Sequence, residues 1–109
     1  MPITDILQGS MDLQVLKILS RRGPLHGYAI MTSIETLSGE QLRVEGGSLY
    51  PALHRLEEAG LIRGAWTTKD TGRRLRVYDL TARGRKELAK EEPRWTSVAS
   101  AVQRVLRLA

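Results

Sequence analysis

The sequence predicts one mainly α domain with a small β-hairpin. Three observations predict it. Segments at residues 11–22, 26–37 and 49–59 repeat apolar residues at helical spacing, and each runs into a glycine. Two alternating segments, residues 61–67 and 75–80, flank a polar run rich in turn formers. Beyond residue 81 a longer apolar stripe continues to the C-terminus. The 109 residues match the size of one domain and leave no room for a catalytic domain beside a regulatory one.

In the first helix, Met11, Val15, Ile18 and Leu19 form a stripe that Leu13 and Leu16 widen. Ser10 is placed to cap it. Gly23-Pro24 ends it, because glycine tolerates the left-handed cap and proline cannot continue a helix. Ile30, Ile34 and Leu37 mark one face of a second helix, residues 26–37, closed by Ser38-Gly39. In residues 41–45, Leu42 and Val44 alternate with polar neighbours, which predicts a short strand that must pair with a later one. The third helix is expected to open with Gly46-Gly47 as a turn, Ser48 as the cap and Pro51 in the first turn. Leu49, Ala52, Leu53, Leu56 and Ala59 make its buried stripe, and Gly60 terminates it. Its opposite face carries Tyr50, Pro51, His54, Arg55 and Glu58.

In the hairpin, Ile62, Gly64 and Trp66 share one side of the first strand, with Trp66 expected in the core. Leu75 and Val77 oppose Arg76 and Tyr78 in the second, and Asp70 and Gly72 supply the turn between them. Thr81 caps the last helix, along which Leu88, Trp95, Val98, Val102, Val105 and Ala109 recur mainly at intervals of three, four and seven. Pro93 predicts a kink or a fresh start there. An apolar stripe on one long terminal helix needs a partner surface.

The net charge is +5 and the isoelectric point near 10.1. Residues 1–62 balance at −2 and residues 87–109 at +1, whereas residues 63–86 carry +6. An excess gathered on one hairpin is an electrostatic footprint for a polyanion, either nucleic acid or an anionic membrane surface. With no cysteine, disulfides and thiolate metal sites are excluded. His26 and His54, the only histidines, do not suit a metal or histidine-based catalytic centre, and no cofactor is expected. The first nine residues lack the charged start and apolar run of a signal peptide, and no apolar run approaches the ~18 residues of a membrane span. A cytoplasmic protein without a membrane partner is expected. Members of the pairs Glu57-Glu58 and Glu91-Glu92 point to different helix faces, and no nucleophile–base pattern or phosphate loop appears, so no enzyme is expected.

Three short helices, a basic hairpin and a last helix give the order of a winged helix-turn-helix. Its third helix enters the major groove, and its hairpin meets phosphate or the neighbouring minor groove. Leu25-His26-Gly27-Tyr28-Ala29-Ile30, the run GSLYPALHRLE from Gly47 to Glu57, Gly60, Arg73-Arg74, Tyr78, Leu80-Thr81 and Gly84 resemble the PadR family of bacterial transcriptional regulators. The resemblance covers the chain from about Gly9 to Leu88. It implies a dimeric winged-helix repressor of the short subfamily, with a DNA-binding unit at residues 1–81 and a C-terminal dimerisation helix at 82–109 in the same compact body. It further implies that this helix packs on the partner subunit near its first helix, and that a flat hydrophobic effector binds between the C-terminal helices in some members.

Ser48, Tyr50, Pro51, His54 and Arg55 are therefore the expected recognition face, and Lys69, Arg73 and Arg74 the expected wing contacts. Tyr50 and Ser48 can donate to phosphate oxygens, while Arg55 either pairs with phosphate or reads guanine through two parallel hydrogen bonds. Met11, Val15, Trp95, Val98, Val102 and Val105 are the expected dimer face or effector cavity, with Trp95 either packing there or contacting the ligand. His26 is expected to hold a turn by hydrogen bonding. Two rival readings are a protein-interaction module on the same scaffold and an RNA binder, the latter calling for stacking aromatics on an open sheet.

Overall fold

A computed structural model describes residues 3–109, with side chains from Ser10 onward. Met1 and Pro2, on which part of the N-terminal reading rests, lie outside the described residues. The elements are α1 (Ile3–Arg22), β1 (Leu25–His26), α2 (Gly27–Leu37), α3 (Gly46–Glu58), β2 (Ile62–Thr68), β3 (Arg74–Leu80) and α4 (Ala82–Leu108). The strands form one antiparallel sheet in the order β1-β3-β2. This is the mainly α fold with a basic hairpin that the patterning predicts. The core gathers Leu16 and Leu19 of α1, Ile30 and Ile34 of α2, Leu49, Leu53 and Leu56 of α3, and Ile62, Leu80 and Leu88.

Met11 and Val15 belong to that core. They are 1% and 0% exposed, so they hold α1 to its own subunit and present no surface to a partner or an effector. The expected dimer face loses these two residues.

Four local expectations are corrected. Helix α1 starts at Ile3, so Ser10 lies inside it, buried, where it accepts from Gln14 Nε2 at 2.9 Å and does not act as a cap. Gly9 inside a helix costs only about 1 kcal/mol and sets no boundary. Residues 41–45 form no strand. Two of their N–H groups are met by side chains of and just after α2: Ser38 Oγ accepts from Leu42 at 3.0 Å and Glu35 Oε2 from Val44 at 3.1 Å, while Gln41 N donates to Ser38 O. Backbone groups satisfied this way need no strand partner, and the third strand is instead Leu25–His26.

Helix α3 begins at Gly46, with the Glu45 carbonyl accepting from both Ser48 and Leu49. Ser48 is thus inside the helix and Pro51 stands in its second turn. Finally, Trp66 is 57% exposed, not core. The alternation is as expected, with Ile62 buried on the same side, but the hairpin outruns the body and carries Trp66 past it.

Both helix ends around the hairpin base are fixed. Gly60, at φ +76°, donates to Glu57 O while Leu61 donates to Leu56 O, the paired bonds of a left-handed helix stop. Thr81 Oγ1 accepts from Gly84 N at 3.0 Å and lies 2.7 Å from Gly60 O, to which it donates. One hydroxyl therefore caps α4 and ties it to the end of α3. Thr81→Ala is expected to cost about 1–2 kcal/mol, read as a lower midpoint in thermal unfolding. Helix α4 is continuous through Pro93, near which Lys17 Nζ pairs with Glu92 at 3.0 Å. Beyond Leu88 it leaves the core, and the molecule measures 57 × 28 × 21 Å.

Candidate nucleic-acid interface

The face opposite the core joins the N-terminal half of α3 to the start of α2 and the hairpin. Gly27 makes the first junction possible. A Cβ there would sit 2.9 Å from Tyr50 Cε1, so only glycine lets the Tyr50 ring lie against the start of α2. Half of Tyr50 remains exposed. Beside it, His26 Nδ1 accepts from Ala29 N at 3.2 Å and caps α2, the turn-holding role expected of it. The His26 ring stacks on exposed Tyr28, with centroids 6.5 Å apart.

The hairpin brings the cations. Lys69 N donates to Arg73 O and Gly72 N to Lys69 O, both at 2.8 Å, with Gly72 at φ +84° where a side chain would be strained. This tight tip leaves Lys69, Arg73 and Arg74 exposed. Arg74 lies over the Trp66 ring at 4.8 Å from its centroid, and Arg76 at 5.6 Å. A cleft of about 220 Å³ between the hairpin and the helix starts is lined by Tyr28, Tyr50, Trp66, Arg73 and Arg74 among others. Burial pushes the Tyr78 phenol above its ordinary value, against the pull of the Arg76 guanidinium beside it.

The expected site residues divide into two groups. Tyr50, Arg73 and Arg74 meet around the cleft, and Lys69 stands at the hairpin tip. His54 and Pro51 are exposed on the middle of α3, His54 with Nε2 3.2 Å from Glu58 Oε1. Ser48 is half-buried. Arg55 turns to the other side, where its Nη2 meets Asp12 of α1 at 3.0 Å. An ion pair this exposed contributes about 0–1 kcal/mol, so a phosphate can displace Asp12. Sequence reading did not assign Tyr28, Trp66 and Arg76 to this face. Trp66 and Arg76 were signalled by strand register, since they are paired across β2 and β3.

A second surface lies along α4. Trp95, Val98, Val102 and Val105 are all exposed, between 42% and 64%. Grooves of about 640 Å³ and 420 Å³ flank Trp95, and Leu13 of α1 lines both.

The family model of PadR-like transcriptional regulators matches residues 15–90. The chain belongs to this family. The family's members are described as PadR-like transcriptional regulators. Over 81 residues, 73% of its length, the chain is 48% identical to an uncharacterised 37.1 kDa protein in transposon TN4556 of Streptomyces fradiae, and it spans 22% of that longer protein. A transcriptional regulator from Clostridium thermocellum superposes with a TM-score of 0.82 at 26% identity, covering 92% of this chain and 96% of that one. Bacillus subtilis PadR, solved in complex with operator DNA, superposes with a TM-score of 0.64 at 29% identity, covering 72% and 44% respectively. No helix among the described residues is long and apolar enough to cross a membrane.

Proposed function

We propose that this PadR-like regulator binds operator DNA as a two-fold dimer and represses transcription by occupying the promoter in the cytoplasm. The observation that carries the reading is the single surface on which Tyr50 of α3 and Arg73 and Arg74 of the hairpin converge. A helix face and a cationic hairpin sharing one side suit a major groove and its flanking phosphates. The likeness to a PadR protein solved on its operator supports it.

Residues 1–81 act as the reading unit and residues 82–109 as the dimerisation helix. The support is physical: Trp95, Val98, Val102 and Val105 form an apolar stripe that a second copy would cover. Two-fold symmetry then sets the recognition helices roughly 34–36 Å apart, on successive major grooves of a pseudo-palindrome. The grooves beside Trp95 are large enough for a flat hydrophobic effector. Bound there, it releases the operator to the extent that it favours one spacing of the heads over the other.

The test is a salt titration of binding to the tightest duplex the protein selects from a random pool. The expected log–log slope is around −4 to −5 per subunit, from about five neutralised phosphates. A slope near zero, or a pool from which nothing is selected, would refute the reading. Sedimentation at micromolar concentration should show a dimer.

A further inference from the structure

One carboxylate joins the reading helix to the hairpin. Glu57 Oε2 accepts from Arg76 Nη2 at 2.6 Å and from the Gly64 backbone N–H at 3.1 Å. The two donors come from paired strands, so Glu57 grips β2 and β3 together. Arg76 reaches it by lying across Gly64. A Cβ at Gly64 would fall 2.7 Å from Arg76 Nε and 2.8 Å from Nη2, so any side chain there displaces the guanidinium. The same guanidinium covers Trp66, and Trp66 carries Arg74 on its ring. Contacts therefore run without a gap from α3 through Glu57, Arg76 and Trp66 to an exposed cation of the hairpin. The Glu57–Arg76 pair, about one-third exposed at each partner, is the most enclosed ion pair among the described residues.

A carboxylate near a surface that must approach phosphates opposes binding through its charge alone. Its geometry supplies what offsets that. A two-stranded ribbon has little rigidity of its own, and without an anchor its outer end swings about its base. We propose that Glu57 is the positioning residue of the hairpin: by holding Arg76 across Gly64 it sets the Trp66–Arg74 stack at a fixed angle to α3, so that Tyr50 and Arg74 engage one duplex in one register. This rests on the DNA-reading function above and assigns its specificity to a residue that touches no DNA.

The charge sign makes the test decisive. Glu57→Ala removes a negative charge and so, by electrostatics alone, strengthens binding to every duplex. Gly64→Ala displaces Arg76 and changes no charge. Both variants, checked for native circular dichroism, are measured at one salt against the duplex selected by the wild-type protein and against a random duplex. Positioning predicts that affinity for the selected duplex falls about tenfold or more in each. Affinity for the random duplex holds in Gly64→Ala and rises in Glu57→Ala. An unchanged or higher affinity for the selected duplex in Glu57→Ala overturns the proposal, whether or not Gly64→Ala folds.

A DNA-free measurement separates this outcome from failure of the DNA reading itself. In a Trp95→Phe background Trp66 is the sole tryptophan. Acrylamide quenching of Trp66 is expected to increase when Glu57→Ala frees its arginine cover. Unchanged quenching overturns the clamp, even if the wild-type protein selects no duplex.

Discussion

Gly84→Ala is expected to be the most damaging single-methyl change in the protein. The added Cβ would be driven into the Leu61 carbonyl oxygen and would stand 2.6 Å from Leu80 Cδ1. The first obstacle is backbone, and that backbone is pinned: Leu61 O accepts from Thr81 N at 3.1 Å, and Leu61 N is tied to Leu56 O. Nothing there can rotate away, so the start of α4 must separate from the α3–β2 turn. Overpacking against a fixed main chain costs about 3 kcal/mol, which lowers the midpoint of thermal unfolding by roughly 12–20 °C for a domain of this size. A midpoint within a few degrees of wild type would show that α4 meets the body less closely than the structure has it. Gly47→Ala is the matched control, since a Cβ there meets nothing within 4 Å.

Arg73→Ala with Arg74→Ala is expected to have the largest effect on DNA binding. Arg73 and Arg74 are exposed, and Arg74 is held in place by the ring beneath it. Losing two phosphate partners per subunit should reduce the log–log salt slope by about 2 and weaken binding about 100-fold at moderate salt. The double variant should melt as wild type does, since neither residue contributes to the core. An unaltered slope together with an unaltered affinity would remove the hairpin from the interface. A changed affinity with an unchanged slope would mean that the arginines act through shape and not charge. Either result is visible in a fluorescence-anisotropy titration at four or five salt concentrations.

Much of the fold was legible because it rests on local rules. The stripes of α2 and α3, the glycine stop at Gly60, the Thr81 cap and the hairpin turn each follow from residue type and spacing. Leu37 and Ala59, at the ends of those stripes, are the exceptions: they are exposed where the body no longer covers the helix. The failures share a cause: each segment's own pattern does not say which other groups, near or far in sequence, will take its contacts. Residues 41–45 have a strand's alternation, but Glu35 and Ser38 reach them before any strand does. Met11 and Val15 read equally well as a core face or as an outer face until α1 is placed among its neighbours. Trp66 follows the correct period on a strand whose far half leaves the body, and period alone carries no information on where a core ends. At the candidate site, Tyr50, Arg73 and Arg74 were visible as exposed residue types on predicted elements. Arg55 was equally visible, but Asp12, some forty residues earlier, decides which way it turns.

Helix α1 touches both surfaces. Asp12 pairs with Arg55 of α3, Leu13 lines both grooves beside Trp95, and Lys17 pairs with Glu92 of α4. Fewer than two turns of one rod thus carry fasteners to both working ends of the molecule. A tilt of α4 would strain or break the Lys17–Glu92 pair, a half-exposed contact worth about 0–1 kcal/mol. The same short stretch of α1 therefore borders the grooves beside Trp95 and the arginine-bearing side of α3.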